Sequence, residues 1–460
     1  MASALAQTRR RPQGRICARH RLGSSSRSRS LHGPAASVAV EPVDPAGHPL
    51  QSLPATIRGP EAVAHFVPLG AGRWSFLWTA PGFAPAMGAP VLVRPGPPVH
   101  LVVDPTPTSV LLPGQAAELR AWLADAAGNP APVPFRITVS GTTCAAGTFQ
   151  GGDALAGPAD FGSFLARDPG TCTLTFRSPD HPSAGTARVI FRTVANIGDI
   201  VAGKGLWLTY PDWRGNSDAR LLATAAADGA THLYLEVATT TDGFYGGPAL
   251  DDLLRQAHAD GLAVIAWVYA ALGDPAADAA NVRQVANYLT PTGDLADGLA
   301  LDIEDHLAVS AVSSFARRAA AALGPGGLVV GVTWAPQQKP SYPYRALAPY
   351  VSAFAPMDYW HVLPEVYTYA QVYNWVLRSV RILRRDAGRP TVPVDVITET
   401  FDWFAGDSGQ GLFSPTPQEL SAAMRAASDA GATGVSFYRA TTATPAEQAV
   451  IMDTPWPPAG

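Results

Sequence analysis

With 460 residues, 47% of them hydrophobic, and a net charge of −4, the chain has a globular composition and room for several domains. The charge is unevenly placed: residues 1–34 hold eight arginines and no acid, leaving 25 basic against 37 acidic side chains in the body. That acidic body excludes the basic surface a nucleic-acid partner needs, and no apolar run is long enough to span a bilayer.

The Arg/Ser-rich start, 1–34, has the composition of a disordered tail and lacks the apolar core of a complete secretory signal. Residues 35–97 and 98–196 are rich in Pro, Gly and Thr and read as short alternating strands, among them 73–78, 100–103, 117–123, 135–139 and 171–176. Turn signals such as Pro113-Gly114, Gly128-Asn129-Pro130 and Asp168-Pro169-Gly170 separate them, a pattern that predicts β-sandwiches. Pro95-Gly96-Pro97-Pro98 marks the boundary, and 35–97 has the look of a clipped domain. The strand–turn–strand from Leu123 to Phe135 resembles that of bacterial immunoglobulin-like domains of the invasin or adhesin type, which implies a spacing or binding role for 98–196. Of three cysteines, Cys17 lies in the tail, and Cys144 and Cys172 flank a 27-residue excursion. A disulfide between them fits an oxidising compartment; two buried thiols fit equally well.

From about residue 200 the pattern becomes one of buried strands alternating with amphipathic helices. Strands are predicted at 205–210, 231–237, 262–269, 297–304, 328–334, 353–360, 391–400 and 433–439. Helices are predicted over 217–228, 248–260, 275–289, 307–323, 343–350, 366–386 and 416–430, with an eighth from Pro445. Glycines at 229, 261 and 431 stand where C-caps precede the next strand. Eight such units over 200–460 predict a (β/α)₈ TIM barrel. A doubly wound open sheet is the competing architecture, but no Gly-rich phosphate loop follows the first strand.

A barrel places chemistry at the C-terminal strand ends. Those ends collect Tyr210, Trp213, Glu236, Trp267, Tyr269, Asp302, Glu304, Trp334, Asp358, Tyr359, Trp360, Glu399, Trp403 and Tyr438. Aromatic rings stack on the apolar faces of sugars, and paired carboxylates cleave glycosidic bonds. The most informative stretch is Asp297-Gly298-Leu299-Ala300-Leu301-Asp302-Ile303-Glu304, where alternation turns Ala300, Asp302 and Glu304 to one face. It resembles the fourth-strand signature D-G-x-D-x-D-x-E of family 18 glycoside hydrolases, the chitinase-like barrels. Met357-Asp358-Tyr359 is similar to that family's Met-x-Tyr, and Gly434–Tyr438 to its last strand. The resemblance implies that Glu304 protonates the glycosidic oxygen, Asp302 holds and tunes it, and Tyr359 stabilises the reacting acetamido group. The substrate's N-acetyl group then acts as nucleophile. Two positions depart from the pattern: Ala300 stands where the inner Asp belongs, and Trp360 follows the tyrosine.

A double-displacement mechanism fits the same residues, with Glu304 as acid/base at strand four and Glu399 as nucleophile at strand seven; Glu236 is a third candidate carboxylate. The expected function is a glycoside hydrolase acting on a polysaccharide, N-acetylated sugars included. The competing reading is an inert barrel that binds glycans in an adhesin-like surface protein. No cofactor or metal is expected, since the ten histidines form no ligand run. The expected partner is a glycan, and the expected location is extracellular or at the cell surface.

Overall fold

Alternating apolar positions build the first half of the chain into antiparallel sheets. The computed structural model describes residues 16–21, 38–45, 47, 49–58, 61–66, 70–80, 84–151, 154–156, 159–362, 366–403 and 413–458. Strands Val38–Val43, Leu53–Arg58, Glu61–Phe66 and Gly72–Thr79 pair into one sheet path, in which Trp74, Phe76 and Trp78 alternate inward onto Val38 and Val40. Within the start that the sequence reads as disordered, Ile16–Arg21 lies as a strand against Glu61–Phe66; the rest of 1–34 falls outside the described residues.

Residues 100–193 form two facing sheets with a shared core. Strands His100–Thr106, Ala116–Ala124, Gly147–Gly151 and Ala159–Ala166 make one face, and Thr138–Ser140, Gly170–Arg177 and Thr186–Thr193 the other. Leu119 and Phe164 meet Leu174 and Phe191 between them, with the Phe164 and Phe191 rings stacked 4.1 Å apart. Cys144 and Cys172 are joined in a disulfide.

Eight parallel strands follow: Gly203–Leu208, Ala230–Thr239, Ala263–Ala270, Gly298–Ile303, Leu328–Trp334, Ala353–Met357, Asp395–Glu399 and Gly434–Tyr438. Each pairs with the next, and the eighth pairs with the first, so the sheet closes into a barrel. Alternation assigns the faces. In the fourth strand Leu299, Leu301 and Ile303 pack on helices, whereas Ala300 sits in the inner core with Trp207, Tyr234 and Val330. The helices Asp218–Asp228, Asp251–Ala259, Pro275–Ala286, Val309–Leu323, Tyr369–Ala387, Pro417–Asp429 and Pro445–Asp453 start and stop as the sequence predicts to within a few residues. Gly229 ends the first of them in the left-handed region, φ 63°, where a side chain would be strained.

Three boundaries differ from the sequence expectation. The sixth strand stops at Met357 rather than 360, because the chain enters a 3₁₀ turn at Trp360–Val362. The seventh starts at Asp395 rather than Thr391; Pro393 has no N–H to give a sheet ladder. An extra short helix, Tyr210–Arg214, follows the first strand, opened by Thr209 and Pro211.

The two-sheet unit meets the barrel at the N-terminal ends of strands three and four. Leu295 N–H donates to Pro107 O (3.2 Å), Arg120 to Thr292 O (2.9 Å), and the Thr108 hydroxyl to Asp297. Asp297 also accepts from Val264 N–H (2.7 Å) and lies 3.1 Å from His258 Nε2. The first acid of the sequence signature is therefore a structural anchor on the face opposite Glu304.

Candidate active site

The C-terminal mouth of the barrel encloses a cavity of about 220 Å³. Of the predicted site residues, Asp302, Glu304, Trp267, Trp334, Tyr359, Trp403 and Tyr438 line it. Asp302 and Glu304 are its only carboxylates among the described residues. Asp302 ends the inward face of the fourth strand, 3% exposed, and its Oδ2 accepts the Trp267 indole N–H at 3.0 Å. Its Oδ1 has no hydrogen-bond partner among the described residues. Burial, then the neighbouring Glu304 and Glu236, hold its carboxyl proton far above the usual range, against the opposing pull of Trp267.

Glu304 lies one residue beyond the strand and is half-buried. Burial, and next the adjacent Asp305 carboxylate, push it up to about 6. The local backbone is pinned from three sides. Trp334 Nε1 donates to Glu304 O (3.2 Å), the Tyr342 hydroxyl to Ile303 O (3.0 Å), and the Tyr269 hydroxyl to Asp305 Oδ2 (2.8 Å). Two non-glycine residues have left-handed backbones among the described residues, Leu272 and His306, and His306 Nδ1 lies 2.8 Å from Ala271 O. His306 follows Glu304 by two residues, which fits the habit of strained backbone to gather at sites under geometric demand.

The opposite wall is aromatic. Tyr359 stacks on Tyr438 with ring centres 5.9 Å apart, and Phe401 packs edge-on against both. Burial, then Tyr438 and the site acids, keep the Tyr359 hydroxyl protonated far above its ordinary range. Trp207 lines the floor, its indole N–H on Ser436 Oγ (2.9 Å) and its ring stacked 3.7 Å from Tyr234.

Seven predicted residues lie elsewhere. Tyr210, Glu236 and Tyr269 stand beside the cavity without lining it. Glu236 accepts the Tyr210 backbone N–H (2.8 Å) and the Tyr245 hydroxyl, so it is a local brace rather than a free carboxylate. Trp213 is turned outward by the unforeseen short helix and packs in the outer core, donating to Glu236 O (3.0 Å). Asp358 and Trp360 fall on the outward register of the sixth strand's continuation. Asp358 is buried facing Ser379 and Trp375, its carboxyl held up by burial against their opposing pull, and Trp360 joins the outer core. Both were expected to bind substrate and neither reaches the cavity. Glu399 is fully buried with both oxygens engaged, Oε1 by His361 Nδ1 (2.5 Å) and its N–H (3.1 Å), Oε2 by Trp403 Nε1 (2.7 Å). Without a free oxygen or access to the cavity, it is not placed as a nucleophile.

The sequence reading passed over Trp207, Val332, Met357, Ile397 and Phe401 as lining residues. Extending the two-residue alternation inward from Trp334, Tyr359 and Glu399 recovers Val332, Met357 and Ile397; it misses Trp207, which is out of register with Tyr210, and Phe401, which lies beyond its strand.

No protein-family model matches the sequence, and no curated protein matches it. Solved structures do. The spore cortex-lytic enzyme SleL of Bacillus megaterium QM B1551 aligns over 55% of this chain and 73% of its own, at 12% identity and a TM-score of 0.42. A chitinase from Chromobacterium violaceum ATCC 12472 aligns over 54% and 98% at 13% identity and a TM-score of 0.41. A family GH18 chitinase from Cycas revoluta, solved with allosamidin, aligns over 55% and 98%, also at 13% and 0.41. One of these neighbours is a spore cortex-lytic enzyme and two are chitinases; the eight-stranded barrel of this chain rests on its own strand pairings.

Proposed function

We propose that the barrel is a glycoside hydrolase that cleaves N-acetylated polysaccharide with Glu304 as general acid. One observation carries the reading: among the described residues, the only carboxylates lining the aromatic cavity are buried Asp302, near the end of the fourth strand, and half-buried Glu304, just beyond it. A group held up to about 6 can keep a proton to give near neutral pH, which an ordinary exposed carboxylate cannot. No third carboxylate faces the pair across the cavity among the described residues, since Glu399 is enclosed. That favours a nucleophile supplied by the substrate over double displacement.

In this reading Glu304 transfers its proton to the glycosidic oxygen as the C1–O bond breaks, and the acetamido carbonyl oxygen bonds to C1 from the other side. Asp302 offers its unpartnered Oδ1 to the acetamido group, and Tyr359 its hydroxyl. Water then adds at C1 and returns a proton to Glu304, restoring the acid. Trp207, Trp267, Trp403 and Tyr438 supply ring faces for the apolar side of the sugar and its methyl group.

The unit at 98–196 is read as an immunoglobulin-like spacer or binding domain, with 35–97 a smaller β unit before it, in a protein exported or held at the cell surface. The Cys144–Cys172 disulfide supports that setting.

The test is hydrolysis of N-acetylated and plain polysaccharides by wild type and Glu304→Gln. Turnover confined to N-acetylated polymers and lost in the variant is expected. Glycan binding by wild type without turnover would instead establish the inert, adhesin-like barrel, and activity surviving Glu304→Gln would remove Glu304 as the acid.

A further inference from the structure

Trp403 is the wall of the cavity that most needs a tether. It lies four residues past the end of the seventh strand, whereas Trp207, Trp267, Trp334 and Tyr438 stand within strands. Its indole N–H donates back to Glu399, the last residue of that strand, at 2.7 Å. Glu399 is held in turn by the His361 ring and backbone N–H, just after the sixth strand. The His361 Nε2 lies 3.8 Å from Glu419, which opens the helix Pro417–Asp429 by accepting from Thr416 N–H (2.7 Å). Glu399, His361 and Glu419 are each at most 3% exposed. On its other side, Trp403 exchanges backbone hydrogen bonds with Phe413 at 2.8 and 2.9 Å, and the Phe413 ring lies against His361.

We infer that Glu399 and His361 are positioning residues for substrate binding, which fix Trp403 as a cavity wall through its indole N–H. A buried carboxylate needs several donors to stay charged, and here two of its three donors are the His361 ring and backbone, leaving one oxygen directed at the indole. The arrangement has the geometry of a chain that aims a side chain rather than one that reacts: the final member in the cavity is a ring face, not a carboxylate. Trp403 also meets Tyr359 and Phe401, with centroids 6.4 and 5.1 Å away, so its angle sets the packing of the opposite wall. The substrate part of this inference rests on the glycosidase reading; the tether itself does not.

The experiment has two arms on the full chain. In the first, the protein is labelled with ¹⁵N-tryptophan, and Trp403→Phe identifies the indole N–H signal that Glu399 holds. Glu399→Gln is expected to move that signal upfield as the charge-assisted bond weakens, and His361→Asn to move it in the same direction by less. An unchanged signal in both variants overturns the tether. In the second arm, kinetics on the N-acetylated polymer are expected to show a KM raised about tenfold in Glu399→Gln, with kcat nearly intact. The effect should disappear in a Trp403→Phe background, because a residue that acts through Trp403 adds nothing once the indole N–H is gone. A collapse of kcat with KM unchanged, or effects of the two substitutions that multiply, overturns the positioning role. Should Glu399→Gln not fold, His361→Asn is read by the same criteria in both arms. If wild type turns over no glycan, the glycosidase reading fails while the indole signal still decides the tether.

Discussion

Replacing Asp305 by Asn should shift the pH profile of turnover in a direction fixed by the site. Glu304 rises from 4.5 to about 6 because burial disfavours its anion and, secondarily, because the Asp305 carboxylate stands beside it. Neutralising Asp305 removes only the smaller cause, so the Glu304 pKa should fall by less than half of that rise. The sign follows from the proposed role: as general acid Glu304 has to be protonated to act, so a lower pKa moves the alkaline limb of kcat/KM to lower pH. Beyond that limb the rate drops about tenfold per pH unit, so at pH 7 the variant should lose no more than about fivefold. Asn keeps an oxygen for the Tyr269 hydroxyl, which leaves the loop supported. The assay is kcat/KM from pH 4 to 9 on an N-acetylated chromogenic glycoside. An alkaline limb that stays in place or moves upward would refute the electrostatic account of Glu304.

The remaining predictions concern the inter-domain anchor and the disulfide. His258 is fully buried between Asp294 (3.3 Å) and Asp297 (3.1 Å), so His258→Ala removes the cation that both buried carboxylates contact and should cost about 3–5 kcal/mol by calorimetry; a change under 1 kcal/mol would show that the pair is not charged. Burial opposes the His258 charge, but Asp297 and then Asp294 outweigh it and push the ring up to about 10. A raised pKa stabilises fully below the ordinary histidine range and is lost as pH climbs through 10, so Tm should decline from pH 7 to 10 in wild type and lose that component in His258→Asn. Asp104 lies in the same buried cluster, facing Asp294, Arg255, His258 and Arg120, and burial followed by Asp294 pushes it up to about 7. The folded state thus holds a proton that the unfolded chain releases, and stability should fall as pH rises from 4 to 7, a slope that Asp104→Asn abolishes in a pH series of Tm. Reducing the Cys144–Cys172 bond, with a sequence separation of 28, should cost about 3.6 kcal/mol on the chain-entropy estimate. A Tm unmoved by reductant would mean that the disulfide does not constrain the unfolded chain.

Local pattern carried much of this protein. Alternation in 297–304 assigns Asp302 inward and Leu301 outward, and helix-start and C-cap residues mark the barrel's units. The repeat of strand and helix predicted the barrel's units but left an open sheet in competition, because closure rests on the first strand pairing with the eighth, at the far end of the chain.

What local pattern could not supply was the engagement of individual side chains. Glu399 and Asp302 look alike in sequence, an acid near the inward end of a buried strand. Only the folded chain brings His361 and Trp403 onto one carboxylate and leaves an oxygen of the other bare. Asp297 shares a motif with Glu304, yet lies at the other end of the strand, where partners from residue 108 and residue 258 hold it. A short helix that three residues of local sequence barely announce was enough to turn Trp213 away from the mouth. The sequence by itself determined which positions face inward, because the period of a strand is a property of the backbone. The tertiary structure decided which of those carboxylates keeps an unengaged oxygen, because that depends on donors brought from distant segments of the chain.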